Sequence, residues 1–175
     1  FFILRDEPTD WLSKFGGSAW APFGDTGKYY LHLYDVTQAD LNWRNPNVRQ
    51  ELFKVVNFWR DKGVKGFRFD VINVIGKDEV LTDCPDQEGK PAYTDKPIVH
   101  DYLHMMNEAT FGQDDSVMTV GEMSATTIEN CILYTAPDRQ ELSMAFNFHH
   151  LKVDYEDGQK WTLKAFDFEE LKRLF

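Results

Sequence analysis

From Asn45 onward, short apolar runs alternate with amphipathic stretches. Val48, Leu52, Val55 and Trp59 recur at helical spacing behind Asn45-Pro46, which supply an N-cap and a proline at the first helical position. Gly63 supplies the stop. The run GFRFDVINV predicts a strand, followed by a polar loop over residues 78–95. Pro97 opens a second helix with Ile98, Tyr102, Met105 and Ala109 as its apolar stripe, and Gly112 ends it. SVMTVGE predicts a second strand. Thr126 and Glu129 form a capping box for a third helix that stops before Pro137. LSMAFNF predicts a third strand, and a fourth helix begins over residues 166–175.

Residues 1–44 read differently. They are aromatic, glycine-rich and irregular, with FGGSAW and YYLHLY as two short strands around a turn between Gly24 and Gly27, just after Pro22. Beyond them, alternating helices and short apolar strands call for an α/β fold with a parallel sheet and helices outside it. Three strands cannot close a barrel, and left alone they expose two edges and an apolar face that invite aggregation. Each strand nevertheless ends in polar residues at its C-terminal edge, where barrel and open α/β enzymes place their chemistry.

Composition narrows the classes. The 175 residues are 42% hydrophobic, enough for one core or for part of a larger one. Lys and Arg number 19 against 29 Asp and Glu, a formal net charge of -10, which disfavours nucleic acid and anionic membrane surfaces as partners. No run approaches the roughly 20 apolar residues needed to cross a bilayer, and these residues carry no signal-peptide pattern, although an incomplete N-terminus could hide one. Cys84 and Cys131 lie far apart without metal-type spacing and are expected as free thiols in a cytoplasmic protein. Neither a metal site nor a cofactor is expected. The chain opens on Phe1 and closes within AFDFEELKRLF without a C-cap, so it reads as an internal piece of a longer protein.

In GFRFD the side chains alternate, so Arg68 and Asp70 share the face opposite Phe67 and Phe69. An arginine beside an aspartate favours its ionised form, which suits a carboxylate nucleophile. Glu122 ends the next strand, in TVGEMS. Adjacent parallel strands lie about 4.8 Å apart, and a retaining glycosidase needs its two carboxyl groups about 5–5.5 Å apart. One group attacks the anomeric carbon, while the other protonates the leaving oxygen and later activates water. Spacing alone leaves other readings open. Arg68 and Asp70 could be a structural ion pair, and Glu122 a helix-start carboxylate near Thr126. Trp11, Trp20, Trp43 and Tyr29 could stack on sugar rings or pack the N-terminal unit.

GFRFDVINVIGKD resembles the nucleophile strand of the α-amylase superfamily, and TVGEMSAT resembles the acid/base strand of its α-glucosidase branch. WLSKFGGSAW and YYLHLYDVTQADLNWRNPNVR are similar to the small domain inserted after the third barrel strand, running into the third helix. The resemblance covers essentially the whole chain. It implies a partial TIM (β/α)8 barrel made of middle βα units, with residues 1–44 as part of the inserted small domain and residues 45–175 as the central part of the catalytic barrel. It implies Asp70 as nucleophile and Glu122 as general acid/base. The family's Asn-His strand and its later Asn-His-Asp motif occur nowhere in the chain, so the remainder of the barrel is expected from a full-length protein. The chain alone is expected to be inactive.

ELSMAFNFHHLKVDYEDGQKWTL is similar to the matching segment of the phospho-α-glucosidase subfamily, whose members cleave trehalose 6-phosphate to glucose and glucose 6-phosphate. Neutral relatives of the oligo-1,6-glucosidase type usually carry an acidic residue where Lys152 stands. A phosphate dianion in an acidic protein requires a local cation, which makes Lys152 the expected phosphate contact with His149 or His150 on the same wall. The expected partner is therefore a small-molecule sugar phosphate, bound by Arg68, His149, His150 and Lys152. An oligo-1,6-glucosidase or another neutral α-glucosidase is the alternative within the same chemistry. A non-catalytic α-amylase-like scaffold is the alternative of another class.

Overall fold

The computed structural model describes residues 1–85, 89–156 and 162–174. Part of the 78–95 loop, the DGQKW stretch at 157–161 and Phe175 lie outside the described residues.

Two three-stranded sheets organise the described residues. In the first, β1 (Leu4–Arg5), β3 (Tyr29–Leu31) and β2 (Trp20–Pro22) lie in that order and are all antiparallel. Phe23 N–H donates to the Lys28 carbonyl at 2.7 Å and closes the β2–β3 turn foreseen between Gly24 and Gly27. β1 carries no sequence signal of its own.

The second sheet is parallel, with order β4 (Gly66–Phe69), β5 (Met118–Glu122), β6 (Met144–Phe146). Helices α1 (Pro46–Asp61), α3 (Pro97–Ala109) and α4 (Ile128–Thr135) connect or cover these strands. A single helical turn, α2 (Lys90–Tyr93), interrupts the 78–95 loop, and α5 (Phe168–Leu174) closes the described chain. Among the described residues, no helix is long and apolar enough to cross a membrane.

The local rules fix several of these boundaries. Asn45 Oδ1 accepts from Asn47 N–H at 2.9 Å, satisfying one of the first orphan donors of α1. Gly63, at φ +92, takes the left-handed conformation that ends α1. For α4 the cap is Thr127 rather than Thr126, because Thr127 Oγ1 accepts from Asn130 N–H at 3.1 Å. The expected long strand GFRFDVINV stops at Phe69: Val71 turns left-handed at φ 38, and Ile72–Val74 form a 3-10 turn. A β-branched residue in that conformation is strained, at a cost of order 1–3 kcal/mol, and it leaves Asp70 at the strand tip.

The buried stripes are rotated from those expected. In α1, Val48 and Val56 are buried, whereas Val55 and Trp59 are about half exposed. In α3, the core side is Val99, Tyr102, Leu103 and Met106, while Met105 and Ala109 face outward. These faces join Ile72, Met123, Tyr134 and Leu142 in the larger core, with Phe67 and Phe69 packed against it. A second core gathers Trp11, Trp20, Leu31 and Leu33 with Val74, Leu81 and Tyr93, so the N-terminal unit shares its interior with the segment after β4. Full burial of such a side chain contributes about 1.5–3 kcal/mol. The shared boundary is also ionic: Lys77 Nζ, itself buried, lies 2.5 Å from Asp40 Oδ1.

The opposite face of the parallel sheet is open. Met118, Met144 and Phe146 are all at least 37% exposed there, beside Arg68 and Glu122.

Candidate active site

Alternation along β4 does what the sequence suggests. Phe67 and Phe69 stack on one another with ring centres 6.3 Å apart and face the helices. Arg68 stands on the open face, and Asp70 follows at the tip. Arg68 pairs with Val120 in the register, and Glu122 lies two residues farther along β5 on that same face. The Arg68 guanidinium spans both acids, with Nη1 on Asp70 Oδ1 and Nη2 on Glu122 Oε2. It also lies 5.9 Å from the Phe146 ring centre, over the next strand.

The two carboxylates differ in setting. The Asp70 side chain is 70% exposed and that of Glu122 only 12%. Glu122 Oε2 is buried and meets the Arg68 charge without a well-directed hydrogen bond. That arrangement is an ion pair more than a hydrogen-bonded fork.

Sequence reasoning missed Asn73, whose side chain is completely buried. Its Nδ2 donates to the Ser124 carbonyl at 2.8 Å and to Asp95 Oδ1 at 2.9 Å, while its Oδ1 accepts from Ser124 N–H at 2.8 Å. One amide thus ties the turn after β4 to the segment after β5. Asp95 also accepts from Asn130 Nδ2 and from the Tyr134 hydroxyl, at 2.9 and 3.1 Å. Burial, with Asp95 adding to it, pushes the Tyr134 hydroxyl far above its ordinary range. A lone asparagine inside an apolar run was the available signal.

Next to the carboxylates lies a cleft of about 400 Å³. It begins at Met123, immediately after Glu122, and contains neither Asp70 nor Glu122. Lys152 and His149 both line it, whereas His150 is not among its lining residues. Lys14 and Lys90 also reach it, and neither drew notice from its sequence context. Trp11, Trp20 and Trp43 are buried core residues, which takes those three rings out of reach of a sugar, and Tyr29 is half-buried. Cys84 and Cys131 are free thiols, and burial raises the Cys131 thiol.

The family model for the alpha amylase catalytic domain matches residues 1–175, and the chain belongs to that family. Within it, the chain is 56% identical over 167 residues to the trehalose-6-phosphate hydrolase of Bacillus subtilis, covering 95% of this chain and 30% of that protein. It is 45% identical over 173 residues to an oligo-1,6-glucosidase of Parageobacillus thermoglucosidasius, covering 95% and 31%. The crystal structure of Bacillus licheniformis trehalose-6-phosphate hydrolase superposes with a TM-score of 0.93 at 53% identity, covering 99% of this chain and 32% of that one. The chain thus spans about a third of the length of these relatives.

Proposed function

We propose that the protein containing this chain is a retaining glycosidase that cleaves trehalose 6-phosphate to glucose and glucose 6-phosphate. Residues 1–44 are then part of the inserted small domain, and residues 45–175 are middle βα units of a (β/α)8 barrel completed by the rest of the protein. The observation that carries the reading is the Arg68 guanidinium, which contacts the carboxylates of two adjacent strand tips at once. A shared cation draws the two acids to one side of the strand tips, which supports a double displacement between them.

In the first step an Asp70 carboxylate oxygen attacks the anomeric carbon. The bond from that carbon to the bridging oxygen breaks, and the Glu122 proton goes to that oxygen, releasing glucose 6-phosphate. A glucosyl ester on Asp70 remains. Glu122, now ionised, takes a proton from water as the water oxygen attacks the same carbon, so glucose leaves and both acids return to their starting states. Lys152 binds the phosphate, with His149 on the same wall and Arg68 holding the carboxylates. The higher identity to the trehalose-6-phosphate hydrolase than to the oligo-1,6-glucosidase supports the phosphorylated substrate.

A 2-fluoro glucosyl donor that traps the ester tests the chemistry. Digestion of the labelled full-length protein should give the added mass on the peptide containing Asp70, and a label elsewhere, or none, defeats the assignment. Comparing trehalose 6-phosphate with isomaltose in that same protein tests the substrate. Equal hydrolysis would favour the neutral α-glucosidase reading.

A further inference from the structure

β4 leaves the sheet as soon as it has delivered Asp70. Its pairing with β5 ends at Phe69 opposite Gly121, and Val71 then turns left-handed into the 3-10 turn at Ile72–Val74. β5 continues past that point through Glu122. On the side of β6 its exit is still held, because Met123 N–H donates to the Phe146 carbonyl at 2.9 Å. The N–H and carbonyl of Ser124 point the other way, toward the side that β4 has left.

The Asn73 carboxamide meets them there. Its Oδ1 accepts from Ser124 N–H and its Nδ2 donates to the Ser124 carbonyl, both at 2.8 Å. A carboxamide carries the same donor and acceptor as a peptide group. This one exchanges both bonds with a single residue, as opposite residues do in a hydrogen-bonded antiparallel pair. The side chain thus adds one rung to a ladder that the backbone of β4 has abandoned.

Asp95 fixes the amide. Its N–H donates to the Asn73 carbonyl at 3.0 Å, and its Oδ1 accepts from Asn73 Nδ2 at 2.9 Å. A carboxylate only accepts, so the amide nitrogen must face Asp95, and a flipped amide would set oxygen against oxygen. Asn130 and Tyr134 of α4 hold Asp95 in turn. The turn that carries Asp70 has supports of its own: Val74 N–H donates to the Val71 carbonyl at 3.1 Å, and Ile72 and Val74 are seated in the two cores. Glu122 stands at the strand end two residues before the rung, so slack at Ser124 passes to its carboxyl.

We propose that Asn73 is a positioning residue for the general acid/base: its amide, oriented by Asp95, sets where the Glu122 carboxyl stands relative to Asp70. This rests on the double-displacement reading given above. General acid catalysis contributes about 10²–10⁴-fold, and an ångström of misplacement can cost about a hundredfold. The loss on removing the amide therefore scales with the leaving group's need for a proton. A phenoxide leaving group needs one far more than fluoride does.

The test uses the full-length protein carrying Asn73→Ala, Asp95→Asn or, as a reference, Glu122→Gln. Rates are measured on phenyl α-glucoside and on α-glucosyl fluoride. Asn73→Ala should lower kcat/KM about thirtyfold or more on the phenyl glucoside and about fivefold or less on the fluoride, because attack by Asp70 is preserved. Asp95→Asn keeps the amide but frees its orientation. It should lose about three- to tenfold on the phenyl glucoside and stay within about twofold on the fluoride, and it decides the matter if Asn73→Ala does not fold. An asparagine that merely stabilises the fold would lower both rates alike through the folded fraction. Equal losses on the two substrates, or none on either, overturn the inference while the functional reading stands. If Glu122→Gln itself shows no such bias, Glu122 is not the acid, and the functional reading falls together with the inference.

Discussion

Arg68 is the side chain on which the proposed chemistry turns. During ester formation, negative charge leaves Asp70 as it becomes neutral and arises on Glu122 as it gives up its proton. The guanidinium touches both, so it serves as counter-ion before and after the step without moving. A lysine ammonium is a single point charge and cannot fork between two acids in this way. Arg68→Lys should therefore lower kcat by about a hundredfold or more, with a far smaller change in KM, as measured on a neutral aryl α-glucoside in the full-length protein. Comparable losses in kcat and in substrate affinity would mean that Arg68 acts on binding instead. The shared face of Arg68 and Asp70 was legible from strand alternation, while the roles expected of Asp70 and Glu122 came from the resemblance of their strands to those of the family. Asn73, Lys14 and Lys90 were not legible, since what brings them to the site is tertiary packing between segments with no local pattern linking them.

At the scale of elements, local grammar located the helices well but misjudged their faces. Caps depend on a few adjacent atoms, and Asn45, Gly63 and the stop before Pro137 act where the sequence puts them. The buried face depends on which neighbour a helix packs against. In α3 it turned from Ile98, Tyr102, Met105 and Ala109 to Val99, Tyr102, Leu103 and Met106. The two sets share Tyr102 but centre about 80° apart around the helix, and apolar residues occupy both arcs, so periodicity alone could not choose between them. The choice is measurable in thermal unfolding of the full-length protein. Leu103→Ala, at a fully buried position, should cost about 2–5 kcal/mol, and Met105→Ala about 0.5 kcal/mol or less. Similar losses at both positions would restore the original face. The shortening of the first parallel strand was equally invisible, because a β-branched Val71 at positive φ runs against its own propensity.

For the molecule as a whole, the open face of the parallel sheet and the shared second core dominate. Met118, Met144 and Phe146 present apolar surface beside the charged site, and both outer strands of the sheet have an unpaired edge among the described residues. Expressed alone, residues 1–175 should associate into large species in size-exclusion chromatography and show no hydrolysis of an α-glucoside. A monodisperse, active monomer would contradict this. The N-terminal unit has a different consequence for turnover. Trp11 packs with Tyr93, Asp40 grips the buried Lys77, and Trp11 Nε1 donates to the Thr82 carbonyl at 2.9 Å, so this unit and the loop it meets are held as one piece. Under the proposed function, a sugar would meet a wall anchored at several separate points along its length and not at a single joint.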